Sequence, residues 1–257
     1  MKKYLAFAKT VMRENSKEYI TNITTVISFV IHILVFSALW EFVLEGKALA
    51  GYTKQDLIWY VTFAEAILYS FYNYYKKIAF KVEMGDFAYD MTKPYNFLAR
   101  IISEGIAELP ITIVICVVGI ILGFILAGPI SISILGLLLV LVVAVMAACV
   151  LLELQVIVGL SSIWIGRDVS SFWLLIQKAM LIFAFTPLEL FPKVIQIPLL
   201  CLPTTHVIYT PSKLLVHFST SLFFKSLAFE AVSILILTII LIIIYKKGVK
   251  KQNVNGI

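Results

Sequence analysis

One helical face carries the residues of this sequence that are best placed to do chemistry. Glu65 lies in an apolar stretch, and Thr62, Tyr69 and Asn73 stand at i−3, i+4 and i+8 from it, on the same side of a helix. A charge near the centre of a bilayer costs roughly 2.5 to 3.5 kcal/mol, so this stripe is expected to face protein or a water-filled path. Glu65 is either a lining residue of such a path or a protonated, hydrogen-bonded packing residue, and both interpretations stay open.

Sequence motifs for catalysis, nucleotide binding and metal binding are absent. A P-loop needs Gly-x-x-x-x-Gly-Lys-Ser/Thr so that backbone amides cradle phosphate, but the only Gly-Lys pair, Gly46-Lys47, is followed by Ala48. The three histidines are scattered, and the three cysteines have no metal-type spacing and are interpreted as small apolar residues. We therefore predict that this chain has no catalytic residue and binds no metal or cofactor of its own.

The elements that must position these residues are membrane helices. Apolar residues make up 61% of the chain and charged residues 14%, and the mean hydropathy is +0.99. A helix needs roughly 20 apolar residues to cross about 30 Å of hydrocarbon. Glu153, Gln155 and Lys178 are weaker candidates for polar residues inside the membrane, and snorkelling at helix ends explains them as readily. We predict an all-α integral membrane protein with one domain, residues 1–257, and six spans: Ile20–Phe42, Leu57–Tyr75, Ile106–Ala127, Ile132–Leu152, Ser170–Phe185 and Leu227–Tyr245.

The distribution of Lys and Arg predicts the topology of these spans. If both termini are cytoplasmic, 15 of the 21 Lys and Arg residues lie in inner segments and five in outer segments. Positive residues are retained on the cytoplasmic side, so both termini are predicted to be cytoplasmic and the number of spans even. The net charge of +6 then reflects topology and anionic lipid headgroups, and no nucleic-acid partner is predicted.

The first 18 residues lack the hydrophobic core of a cleavable signal peptide. Tyr4, Leu5, Ala8, Val11 and Met12 recur at helical spacing among charged residues. This pattern predicts an interfacial helix over residues 1–18 on the inner leaflet, the alternative being a solvated tail.

The longest internal polar segment, residues 76–104, is predicted to be a cytoplasmic loop. Met84-Gly85-Asp86 indicates a turn in which Asp86 caps a short helix, and Pro94 is expected to end that helix. Large apolar residues alternate with the charges, which favours docking of a soluble partner over a solvated connector. These apolar residues are Ile78, Phe80, Val82, Phe87, Tyr89 and Met91.

The outer segment, residues 186–221, combines prolines with apolar residues. Its prolines exclude one straight helix, while its apolar residues are too numerous for a free loop. We predict a broken re-entrant or interfacial hairpin at the outer mouth, the alternative being an apolar surface loop. The residues that define it are Pro187, Phe191, Pro192, Pro198, Pro203 and Pro211.

Two short motifs carry a family resemblance. The loop contains Gly85-Asp86-Phe87 followed by Met91-Thr92-Lys93-Pro94, and the hairpin contains Phe191-Pro192, Leu202-Pro203 and Pro211. With the six predicted spans, these motifs resemble those of ABC-2 type permeases, the membrane subunits of ATP-binding cassette exporters. Met91 and Thr92 depart from the Leu-Leu or similar pair that is usual in the family.

The resemblance implies a type V exporter-like fold and a division of labour between subunits. By resemblance, the loop forms a coupling helix that docks on a separate ABC ATPase, which binds ATP and Mg. The implied coupling residues are Gly85, Asp86, Phe87, Tyr89, Asp90, Lys93 and Pro94. The permease is expected to pair with a second copy or a related permease among membrane lipids, with Thr62, Glu65, Tyr69 and Asn73 near the substrate.

Two other functions compete with this prediction. An ion-coupled secondary transporter or channel would work without an ATPase, but the sequence lacks the paired, interrupted spans of repeat-built transporters. A membrane scaffold for a soluble enzyme would keep the docking loop but have no solvated path near Glu65. Under the permease hypothesis, charge reversal at Asp86 or Asp90, or Phe87→Ala, is expected to uncouple ATP hydrolysis in a folded protein.

Overall fold

Helices account for nearly all of the chain that the structure describes. The structure is a computed structural model and describes residues 2–15, 19–69, 74–107, 109–165 and 169–254. A short 3-10 turn, Leu188–Leu190, accompanies the α-helices. These are α1 (Lys2–Asn15), α2 (Tyr19–Leu44), α3 (Lys54–Leu68), α4 (Tyr74–Glu83), α5 (Asp86–Met91), α6 (Phe97–Ile106), α7 (Leu109–Ala127), α8 (Ile134–Ile165), α9 (Ser170–Phe185), α10 (Lys193–Leu200), α11 (Pro203–Val216) and α12 (Thr220–Val254).

Three helices among the described residues are long and apolar enough to cross a membrane. They comprise Ile23–Leu44, Ile134–Ile165 and Thr220–Lys251. Two shorter apolar helices, Ile113–Ala127 and Ser170–Phe185, accompany them. The two longest segments have 32 residues each, or about 48 Å at 1.5 Å per residue, which exceeds the hydrocarbon thickness.

Several helices begin or end at other residues than the predicted spans. The predicted span Leu57–Tyr75 is interrupted, because α3 ends at Leu68 with Tyr69 as its C-cap and α4 begins at Tyr74. The helix at the predicted third span begins at Leu109, after the separate helix α6. The helices at the predicted fourth and sixth spans continue well beyond Leu152 and Tyr245. Hydropathy marks apolar runs, whereas caps and packing decide where a helix begins and ends.

The start of α3 shows how local chemistry sets a boundary that hydropathy misses. Thr53 and Asp56 form a capping box: the Thr53 N–H donates to the Asp56 carboxylate at 2.8 Å, and the Asp56 N–H donates to Thr53 Oγ1 at 3.2 Å. Each side chain thus satisfies a backbone donor that has no partner within the helix. The helix therefore begins at Lys54, three residues before the predicted span.

The core is organised around α8, which packs against α4, α11 and α12. Helices α8 and α12 run in the same direction: Glu153 accepts a hydrogen bond from Thr238, and further along both helices the Lys251 ammonium donates to the Ile163 carbonyl. A second group of contacts joins α3 to α2, α7, α9 and α11. Helix α3 is consequently buried on nearly all sides, from Leu57 to Leu68.

Gly159→Val is expected to destabilise the protein, because α4 and α8 touch at this glycine. A Cβ there would lie 2.6 Å from Ile78 Cβ and 3.0 Å from the Tyr75 carbonyl oxygen. Overpacking of this kind costs about 1 to 3 kcal/mol. Thermal unfolding in detergent measures the loss. The matched control is Gly119→Ala, where the nearest atom is the tip of a Phe29 ring at 3.2 Å, and an equal loss in both variants would contradict the prediction.

Candidate functional site

The predicted coupling helix exists as α5, a helix of six residues that follows a glycine turn. Gly85 is the N-cap and has a φ of +79°, in the left-handed region that favours glycine. The prediction that Asp86 caps the helix was wrong, since Asp86 is the first helical residue and Gly85 provides no side-chain cap. The helix ends at Met91, before Pro94, as the sequence predicts.

The two faces of α5 have opposite environments. Phe87 is fully buried, and its ring lies 4.9 Å from the Phe97 ring of α6 and 6.3 Å from the Tyr245 ring of α12. Asp86 and Tyr89 are exposed, Tyr89 to 62%. One face therefore anchors the helix to α6 and α12, while the other presents side chains to the surroundings.

Exposed apolar residues extend the outer face of α5 into a surface patch. Phe80 at the end of α4 and Met84 in the turn are both more than half exposed. Lys93 donates a hydrogen bond to the Tyr89 hydroxyl at 2.5 Å and lies 3.8 Å from that ring's centroid. We call Phe80, Met84, Asp86 and Tyr89 the α5 patch. Exposed apolar and aromatic groups of this kind mark contact surfaces.

Ion pairs hold α5 and α4 to α6. The Arg100 guanidinium donates to the Asp90 carboxylate at 2.9 Å and to the Glu104 carboxylate at 2.6 Å. Lys81 donates to the other Glu104 oxygen at 3.1 Å. Burial alone would lower the pKa of Arg100, but its bonds to Glu104 and the neighbouring Asp90 outweigh burial and raise that pKa. Asp90 is thus a buried structural partner of Arg100.

The N-terminal helix packs against the same region. The Phe7 ring lies 5.3 Å from the Tyr95 ring and 4.8 Å from the Arg100 guanidinium carbon. The Asn96 N–H donates to the Tyr4 hydroxyl at 3.0 Å. Helix α1 therefore contacts the segment between α5 and α6, and a groove of about 660 Å³ lies between α1, α4, α5 and α6. The position of α1 on the inner leaflet stays a prediction.

Glu65 is fully buried between helices of its own chain. Its carboxylate lies 3.4 Å from Nδ1 of His32 on α2, and the Tyr69 hydroxyl lies 3.0 Å from the same nitrogen. Thr62 is also buried, and its hydroxyl has no hydrogen-bond partner among the described residues. Asn73 falls outside the described residues. The stripe therefore faces protein in this conformation, with His32 as the group that reaches the surface.

The outer proline-rich segment folds into two short helices. Pro187 precedes the 3-10 turn, Pro192 precedes α10, and Pro203 is the first residue of α11. Pro211 lies inside α11 and is buried. The Phe191 ring lies 6.3 Å from the Phe183 ring of α9. Three prolines thus stand where elements begin, whereas Pro198 and Pro211 lie inside α10 and α11. The depth of the segment in a membrane stays a prediction.

A carboxylate ties this hairpin to the rest of the chain. Glu189 accepts hydrogen bonds from Tyr52 at 3.0 Å and from Tyr209 at 2.7 Å, and it forms an ion pair with Lys213. Tyr52 belongs to the α2–α3 connection, whereas Tyr209 and Lys213 belong to α11. Burial alone would raise the pKa of Glu189, but the bonds from Lys213 and Tyr209 outweigh burial and lower that pKa. We call these four residues the outer latch.

A comparison of the sequence with protein-family models shows which family the chain resembles. Residues 20–256 match the family model described as ABC-2 family transporter protein. The chain belongs to this ABC-2 family. It is accordingly a multi-pass membrane protein and a permease component of an ABC transporter, rather than a catalytic enzyme in itself. Membership in this family implies association with ABC ATPase subunits. A comparison with curated proteins gives no significant match.

Within the ABC-2 chain, the predicted coupling residues divide into two groups. Asp86 and Tyr89 lie in the α5 patch, with Lys93 beside Tyr89. Phe87 and Asp90 are buried, so the expectation that Phe87→Ala leaves the protein folded must be revised. A local pattern of alternating charge and aromatic residues does not show which of them turn inward.

Sequence reasoning also missed several polar residues of the ABC-2 chain. His32 was grouped with the scattered histidines, although it and Glu65 both lie inside neighbouring apolar stretches. Glu153 is buried inside α8 and accepts from Thr238 at 2.6 Å, so of the two explanations left open for it the structure favours a buried polar contact over snorkelling. Glu230 on α12 is fully buried, and neither of its carboxylate oxygens has a hydrogen-bond partner among the described residues. An ionisable side chain inside an apolar run was the available signal in each case.

Proposed function

We propose that this ABC-2 permease is the membrane subunit of an ATP-driven exporter in the cell membrane. It has six spans in one domain, both termini in the cytoplasm, and a second permease copy or a related permease as its partner. ATP and Mg bind to a separate ATPase subunit, and this chain binds neither. The parallel course of α8 and α12 supports this topology, because spans four and six then both run from outside to inside.

The division of α5 into two faces is the observation that carries the proposal. The ATPase docks on the α5 patch, where Asp86 and Tyr89 are exposed. Phe87 fixes the other face against Phe97 and Tyr245. A displacement of α5 by the ATPase is therefore transmitted to α12 through packed aromatic rings, which are close-packed and transmit strain.

Copurification from the native membrane combined with photo-crosslinking tests this docking. A photoreactive phenylalanine analogue at Tyr89 is expected to capture an ABC ATPase subunit. The same analogue at Phe87, on the buried face of the same helix, is expected to capture only the permease itself. Purification without any ATPase, together with no ATPase adduct at Tyr89, would overturn the proposal.

An ion-coupled secondary transporter is the second candidate function. The observation that favours it is the contact between the buried Glu65 and His32, a pair that could hold one proton within the membrane. This function predicts ion-driven flux in proteoliposomes that contain the permease alone. ATP-dependent flux that requires the ATPase would instead support the exporter.

A further inference from the structure

We infer that His32 is a substrate-contact residue, held by Glu65 and Tyr69, for the anionic or other hydrogen-bond-accepting group of an amphiphilic substrate. The inference rests on the proposed function, because it names the class of substrate that the permease would carry. It also reassigns Glu65 from a lining residue to a positioning residue behind His32.

The geometry separates an inner from an outer edge of the His32 ring. Nδ1 points inward, 3.0 Å from the Tyr69 hydroxyl and 3.4 Å from the Glu65 carboxylate. The side chain is nevertheless 46% exposed, and Nε2 has no hydrogen-bond partner among the described residues. The exposed edge therefore presents a polar group in the middle of α2, which is otherwise one of the most apolar helices of the chain.

The outer edge is a donor in two protonation states, and only a neutral ring with its proton on Nδ1 would leave Nε2 as an acceptor. If Glu65 is protonated, Tyr69 donates to Nδ1 of a neutral ring, and the ring proton then resides on Nε2. If Glu65 is ionised, a protonated His32 compensates its charge, and both ring nitrogens carry protons. An ionised Glu65 beside a neutral ring would leave a net negative charge in the membrane interior, which is costly. Both favourable states offer an N–H at Nε2.

The residues around His32 indicate what else the ligand must carry besides an acceptor group. Val35 at i+3 and Leu39 at i+7 lie on the same face of α2 as His32, and each is about half exposed. On the buried side, Phe29, Ile33 and Ile115 form an apolar cluster with Ala66, the residue next to Glu65 in α3. A ligand here needs a hydrocarbon part for the apolar surface and an acceptor, such as phosphate or carboxylate, for the Nε2–H. An anionic amphiphile meets both requirements.

Nitrogen NMR of the full permease tests this site without knowledge of the natural substrate. The chain has only three histidines, so ¹⁵N-imidazole labelling gives few signals, and His32→Gln assigns the signal of interest. The probes are dodecyl phosphate, an anionic amphiphile, and dodecyltrimethylammonium, a cationic amphiphile without an acceptor. Measurements are made in lipid nanodiscs without ATPase or nucleotide. A missing ATPase partner would therefore overturn the proposed function and leave this measurement unaffected.

Dodecyl phosphate is expected to shift the His32 Nε2 signal saturably, whereas the cationic probe leaves it unchanged. His206 is the internal reference, because its Nδ1 lies 3.0 Å from Thr210 Oγ1 and its Nε2 lies 2.5 Å from the Leu200 carbonyl oxygen. Tyr69→Phe removes the hydrogen bond to Nδ1, and Glu65→Leu removes the carboxylate beside that nitrogen, so each should weaken dodecyl phosphate binding about tenfold.

Four results would each overturn the inference. The first three are no saturable shift at His32, an equal shift with the cationic probe, and unchanged affinity in both Glu65→Leu and Tyr69→Phe. A fourth is efficient disulfide formation between two His32→Cys chains, because it would show that the exposed edge contacts a second permease copy.

Discussion

Phe87→Ala is expected to destabilise the permease by about 3 to 5 kcal/mol, the usual cost of truncating a buried phenylalanine. Phe87 is fully buried, and its ring contacts the rings of Phe97 and Tyr245. The truncation leaves a cavity where three elements meet, α5, α6 and α12. Thermal unfolding of the purified permease, monitored by tryptophan fluorescence in detergent, measures this loss.

Tyr89→Ala is the matched variant on the same six-residue helix. Tyr89 is 62% exposed, and its main contact is with the neighbouring Lys93, so permease stability should change by less than about 0.5 kcal/mol. Tyr89 is an exposed aromatic anchor, so Tyr89→Ala should instead weaken ATPase binding by about 2 kcal/mol, which is roughly thirtyfold in Kd. Normal ATPase binding by Tyr89→Ala, or an unchanged melting temperature in Phe87→Ala, would contradict the two-faced role of α5.

Glu189→Gln is expected to cost about 2 to 3 kcal/mol of stability at neutral pH, since the outer latch depends on this carboxylate. Glu189 accepts hydrogen bonds from Tyr52 and Tyr209 and pairs with Lys213, while only about a quarter of each charged side chain is exposed. Loss of the negative charge weakens three contacts at once, and hydrogen bonds to charged groups are worth more than neutral ones. The outer hairpin should also become more accessible to protease.

The pH dependence of the latch follows from the lowered pKa of Glu189. A carboxyl group whose pKa is lower in the folded state binds fewer protons there, so it stabilises the fold above its unfolded pKa. That contribution is lost as the pH falls below about 4.5 and through the folded pKa. The difference in melting temperature between the natural chain and Glu189→Gln should therefore shrink in acid.

Glu41→Gln is the control for the latch prediction. Glu41 also pairs with a lysine, Lys54, at 2.5 Å, but both side chains are well exposed. Exposed ion pairs contribute about 0 to 1 kcal/mol, so this variant should melt close to the natural chain. Equal destabilisation by both substitutions, or a pH-independent effect at Glu189, would contradict the latch.

Properties that depend on local composition were predictable from the sequence. The apolar runs specified membrane helices, because backbone groups in lipid must bond within their own segment. Gly85 and Pro94 bracketed a short helix, since one supplies a left-handed turn and the other cannot continue a helix. The outer prolines divided their segment into short helices for the same reason, and the loop and hairpin motifs indicated the family.

Contacts between distant parts of the chain were decided only by the tertiary structure. The side of α5 that is buried depends on Tyr245, more than 150 residues away along the chain. The interruption after Leu68, the contact of His32 with Glu65, and the contact of Glu153 with Thr238 likewise depend on how helices pack. The sequence by itself determined which segments become helices and the turn at Gly85, because those are local free energies. Tertiary packing decided which polar groups meet, because burial removes water as their alternative partner.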